Sequence, residues 1–93
     1  MEWKPGRVVK NLRGHDRGFY AVVAADGQYV YIANGRSRLL EKPKRKNPRH
    51  LAATAILLPP EAMATDKKLR AALWPLNFGD AGEQAAEERE SLG

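Results

Sequence analysis

Ninety-three residues allow one domain with a small core, and the absence of cysteine excludes a disulfide framework, a thiolate metal site and a cysteine nucleophile. The net charge of +5 conceals an asymmetry: residues 1–50 hold twelve Lys/Arg against four Asp/Glu, and residues 51–93 hold four against seven. A basic half of this kind attracts polyanions or acidic surfaces, and charge alone does not choose among RNA, DNA and an acidic protein.

Met1 to Pro5 contains no apolar run of signal-peptide length, and the longest apolar run, Leu51 to Leu58, is far too short to span a bilayer. The expectation is a soluble, cytoplasmic protein with no membrane contact. From Gly6 to Gly35 the chain reads as three short strands separated by glycine-marked turns. Asp26-Gly27 and Asn34-Gly35 are pairs suited to the positive φ angles of tight type I′ turns, and each is flanked by β-forming residues. A three-stranded antiparallel meander follows. Between the first two strands, Gly14-His15-Asp16-Arg17-Gly18 lacks the spacing and the Gly-Lys-Ser/Thr ending of a Walker loop. Its glycines nevertheless allow backbone N–H groups to point outward beside Arg17, which suits a phosphate; Asp16 opposes anion attraction unless it caps the turn.

Tyr29 and Tyr31 fall on one sheet face and Val30 and Ile32 on the other, while Phe19, Ala21 and Val23 oppose Tyr20, Val22 and Ala24. Packing in a core or across strands is one role for these aromatics, and an exposed surface for stacking an unpaired base is the other. Arg36 to His50 then places seven Lys/Arg against one acid in fifteen residues. Leu39 to Glu41 is expected as a short fourth strand, with Pro43 and Pro48 excluding a helix and holding Lys44-Arg45-Lys46 as an open loop tip. Like charges at this density repel one another, a cost that a bound polyanion relieves. His50 to Leu58 has the length and apolarity of a fifth strand that closes a barrel, and Pro59-Pro60 ends it. Asp66 is expected to N-cap a short helix through Trp74, packed by Leu69, Leu73 and Trp74 and stopped by Pro75. Residues 79–93 lack an apolar stripe and read as an acidic tail, frayed or disordered.

Gly6-Arg7-Val8-Val9, the loop with its glycines Gly14 and Gly18, and the valine-rich strand after it resemble the KOW motif. The later LLEKPKRKNPRHL segment looks like the fourth and fifth strands of bacterial KOW-domain proteins similar to a large-subunit ribosomal protein of archaea and eukaryotes. The match covers about the first 55 residues. The resemblance implies an SH3-like β-barrel; with the elements read above, the expected fold is mainly β, a five-stranded barrel over residues 1–58, and the short helical extension over 59–78 and the acidic tail over 79–93 lie outside the motif. It also implies a module that binds structured RNA, often ribosomal RNA. By position it points to Arg13, His15 and Arg17 in the loop and to the basic stretch from Lys42 to Arg49.

Together with the charge pattern, these residues define a candidate RNA-binding face of Arg13, His15, Arg17, Arg36, Arg38, Lys42, Lys44, Arg45, Lys46 and Arg49. Ribosomal or transcription proteins are further candidate partners, and the chain is expected to act as a monomer. A protein-interaction module and a barrel that coats duplex DNA are the alternatives. No enzyme, cofactor or metal is expected. The two histidines, His15 and His50, have no ligand partner at metal-binding spacing, and neither Ser37 nor Ser91 sits in a nucleophile elbow.

Overall fold

The meander expected over Gly6–Gly35 forms, and two further strands extend it at either side. The computed structural model describes residues 3–13 and 17–78. Strands β1 (Arg7–Asn11), β2 (Gly18–Ala25), β3 (Val30–Ala33), β4 (Lys44–Lys46) and β5 (Leu51–Leu57) make one antiparallel sheet in the order β4-β3-β2-β1-β5. Helix α1 (Asp66–Phe78) follows β5. Among the described residues no ladder joins β4 to β5, so these strands are the two edges of the sheet. No helix there is long and apolar enough to cross a membrane.

Strict alternation splits the apolar residues of the central strands between two faces, and both faces are buried. Val8, Ala21 and Ala33 lie opposite one another across β1, β2 and β3. With Phe19 they receive Leu69, Leu73 and Leu76 of α1. Spacings of four and three along the helix set those leucines in one stripe, and fully burying each contributes roughly 1.5–3 kcal/mol. The other face gathers Val9, Tyr20, Val22, Val30, Ile32 and Leu51, with Trp3 and Ala53 against them. α1 takes no part in this second cluster. Register shifts between Arg7 and Val9 and between Val22 and Ala24 mark irregularities that bend and twist the sheet.

Several local expectations are corrected. The fourth strand is Lys44–Lys46, the residues expected as an open loop tip, and it pairs with Val30–Ile32. Leu39–Lys42 turns instead: the Lys42 N–H donates to the Leu39 carbonyl at 3.0 Å, and the Leu40 N–H donates to the Asp66 carboxylate at 2.8 Å. Those donors are therefore lost to any ladder. Pro43, which has no N–H to give, stands just ahead of the new edge strand, where proline is tolerated. Pro48 begins a 3₁₀ turn, Pro48–His50, whose N-cap Asn47 accepts from the Arg49 N–H at 3.1 Å.

Both hairpin turns take positive φ at glycine only, so neither is type I′. The side chain of Asp26 accepts the N–H groups of Gln28 and Tyr29, and that of Asn34 accepts those of Arg36 and Arg38. In the helix, Thr65 rather than Asp66 is the cap, its Oγ1 accepting the Lys68 N–H at 3.1 Å. Pro75 does not stop α1, which runs to Phe78 because Leu76 and Asn77 are anchored from outside the helix. Trp74, expected in the core, is 53% exposed, since it lies more than a third of a turn off the stripe defined by Leu69, Leu73 and Leu76. The loop residues Gly14, His15 and Asp16 and the acidic tail lie outside the described residues.

Candidate nucleic-acid interface

A groove of about 520 Å³ lies where three elements meet: the start of β2, the turn after β3 and the second half of α1. Arg17, Arg36 and Arg70 line it from those three elements, beside Trp74, Asn77 and Phe78, and none of the described residues that line it is acidic. Gly35 makes the approach of turn and helix possible. It has φ +74°, and a Cβ there would collide with the Asp66 carbonyl and come within 3.0 Å of the Arg70 amide nitrogen. Asn34 shapes the turn, with its Oδ1 holding the Arg36 and Arg38 N–H groups and its Nδ2 donating to Ser37 Oγ at 3.1 Å. The Arg36 guanidinium comes to lie 5.0 Å from the centre of the Phe78 ring. Phe78 in turn lies against Trp74, with ring centroids 4.3 Å apart and planes tilted by 37°. Both rings are more than half exposed.

A second basic cluster forms beside the 3₁₀ turn. The His50 imidazole is held below its ordinary value, first by partial burial and then by the positive charges of Arg13, Lys46 and Arg49. The Leu12 N–H donates to the His50 carbonyl at 3.0 Å, which brings the end of β1 to this turn. Along β4, Arg45 stands opposite Tyr31 and its guanidinium lies 4.6 Å from the centre of the Tyr29 ring. The Tyr31 hydroxyl donates to the Asp26 carboxylate at 2.9 Å. The Asp26 carboxyl is held low by the N–H groups of Tyr29 and Gln28 and by that hydroxyl, while Asp26 raises the Tyr31 phenol.

The structure thus divides the candidate residues. Arg17 and Arg36 line the groove, whereas the charges of Arg13, Lys46 and Arg49 act on His50. Lys44 and Arg45 lie on β4, and Lys42 is exposed in the turn before it. The Arg38 carbonyl accepts the N–H groups of Asn34 and Gly35, so that residue also closes the turn. Of the tyrosines, Tyr20 is core, Tyr29 lies under Arg45 and Tyr31 is engaged with Asp26. Among the described residues the rings more than half exposed are Trp74 and Phe78, which sequence reasoning missed as site residues together with Arg70 and Asn77. Their signal was present as Arg70, Trp74 and Phe78 at successive intervals of four, a single helix face. Ending the helix at Pro75 hid it.

Among the described residues no group of three or more His, Asp or Glu is placed to hold a metal ion. No family model matches the chain, and no curated protein matches it.

Proposed function

We propose that this chain is a non-catalytic RNA-binding module of KOW type, associated with the ribosome and acting through the phosphates of folded RNA. The observation that supports it best is that the Leu12 N–H, donating to the His50 carbonyl, carries the end of β1 and with it Arg13 to the turn that holds Arg49 just after Lys46 of β4; the positive charges of all three act on the His50 imidazole. Phosphate contacts from such residues fix register and orientation without reading sequence. β4, which carries Lys46 of that cluster, also carries Lys44 and Arg45. An SH3-like barrel is the architecture this reading favours: the cluster of Val9, Val22 and Ile32 is fully buried without a helix over it, which a sheet curling on itself achieves.

Binding of this kind weakens steeply with salt as condensed counterions are no longer released at a gain. Six phosphate contacts correspond to a loss of about a thousandfold in affinity between roughly 50 and 200 mM salt. The test is co-sedimentation from cell lysate on a sucrose gradient at low and then high salt. A salt-sensitive peak with the large ribosomal subunit is expected, and joint replacement of Lys44, Arg45 and Lys46 by alanine should diminish it. Protein that stays at the top of the gradient at low salt defeats the ribosomal reading. A preference for duplex DNA or for an acidic protein would assign the basic cluster to another partner.

A further inference from the structure

We propose that the groove between α1 and the turn after β3 holds one unpaired nucleotide, with its base against the Trp74–Phe78 ring pair and its phosphate among Arg17, Arg36 and Arg70. This inference rests on the RNA reading and adds to it a second, chemically different site. Two large aromatic side chains more than half exposed on one helix face leave apolar ring surface in water at a cost, and they lie against each other with centroids 4.3 Å apart. Every nucleobase has a π-face, so stacking on aromatic rings tolerates any sequence. Three guanidinium groups arrive at the same groove from three elements, and among the described residues no lining carboxylate offsets them. Arg36 already lies over the Phe78 ring, so one cation borders both the aromatic and the anionic part of the site.

This combination selects among anions. An acidic peptide would satisfy the arginines and leave the rings bare. Duplex RNA would satisfy the arginines as well, but its bases are stacked within the helix and offer no face to Trp74. A base with a free face, linked to a phosphate, matches both halves of the groove. Asn77 contributes by position, since its side chain fixes the last turn of α1 to β2 and so holds Phe78 in place.

The test is fluorescence anisotropy of labelled hexauridylate and of a labelled blunt RNA duplex at low salt. The proteins compared are the unmodified chain, Trp74→Ala, Arg36→Gln and the joint Lys44→Ala, Arg45→Ala, Lys46→Ala variant. Trp74→Ala is expected to weaken hexauridylate binding about tenfold and to leave the duplex affinity unchanged. Arg36→Gln, which keeps every ring in place, should weaken hexauridylate in the same direction, and the triple variant should weaken both RNAs. Hexauridylate affinity that survives in a folded Trp74→Ala protein overturns the groove assignment. So does binding of the duplex without binding of hexauridylate, and the RNA reading then stands alone. If the unmodified chain binds neither RNA, both readings fall.

Discussion

The carboxamide of Asn77 closes on the backbone of Phe19 from two sides. The Phe19 N–H donates to Oδ1 at 2.8 Å, and Nδ2 donates to the Phe19 carbonyl at 3.2 Å. β3 has ended at Ala33, so the side chain of the helix supplies what a neighbouring strand would have supplied. The approach depends on Gly18, where a Cβ would lie 2.8 Å from Asn77 Oδ1 at φ +129°.

Asn77→Ala strands both backbone groups in a partly buried place and should cost about 1–3 kcal/mol. The urea midpoint measures it. A midpoint equal to that of the unmodified chain would mean that water replaces the amide without loss. Because the same contact anchors the turn beyond Pro75, the variant should also loosen Phe78 and weaken hexauridylate binding.

Gly35 and Gly27 separate strain from collision. Both have positive φ, but a Cβ at Gly27 meets nothing within 4 Å, whereas one at Gly35 runs into the backbone of α1. Gly27→Ala should cost about 1–2 kcal/mol, the left-handed penalty alone. Gly35→Ala adds displacement of the helix and should cost clearly more, read as a larger drop in thermal midpoint. Equal drops would refute the close packing of turn and helix.

Leu73 and Trp74 are neighbours in sequence with opposite surroundings, one fully buried and the other more than half exposed. Leu73→Ala should destabilise by about 2–5 kcal/mol through lost burial and the cavity left behind. Trp74→Ala should cost well under half as much while affecting single-strand binding. Urea unfolding of the two variants side by side decides it, and the reverse order would mean that α1 is rotated about its axis.

His50 reports on the basic cluster. With its folded-state value below the ordinary 6.5, the unfolded chain takes up the proton first as pH falls. His50 therefore lowers stability progressively as pH drops from 6.5 toward the folded value, and has no such effect well above 6.5. A His15→Gln variant leaves His50 as the single histidine, so NMR titration reads it directly. A midpoint below 6.5 is expected in the free protein, with an upward shift when RNA phosphates approach the cluster. A free-protein midpoint above 6.5 would show that neither burial nor the neighbouring positive charges govern this imidazole.

Legibility followed the range of the forces involved. Alternation and turn residues are local, and they made β1, β2 and β3 readable from Val8, Tyr20, Val30 and their neighbours, as well as the strand length of Leu51–Leu57. The choice of fourth strand was not local. Leu39-Leu40-Glu41 is more apolar than Lys44-Arg45-Lys46, but Asp66, 26 residues later, takes the Leu40 N–H, and Leu40 itself packs against the helix-side core. With that donor removed, the basic segment is the one that reaches the edge of β3.

The end of α1 followed the same rule. Proline ordinarily halts a helix because it removes a donor and crowds the preceding turn, and nothing near Pro75 announces an exception. The exception comes from Phe19, 58 residues away, and from the pocket that accepts Leu76. By itself, the sequence determined a basic, cysteine-free chain whose first half alternates as an antiparallel meander, because charge and side-chain period need no partner to be read. Only the tertiary structure decided that Arg17, Arg36 and Arg70 share a groove with Trp74 and Phe78, because that grouping depends on contacts between residues far apart in the chain.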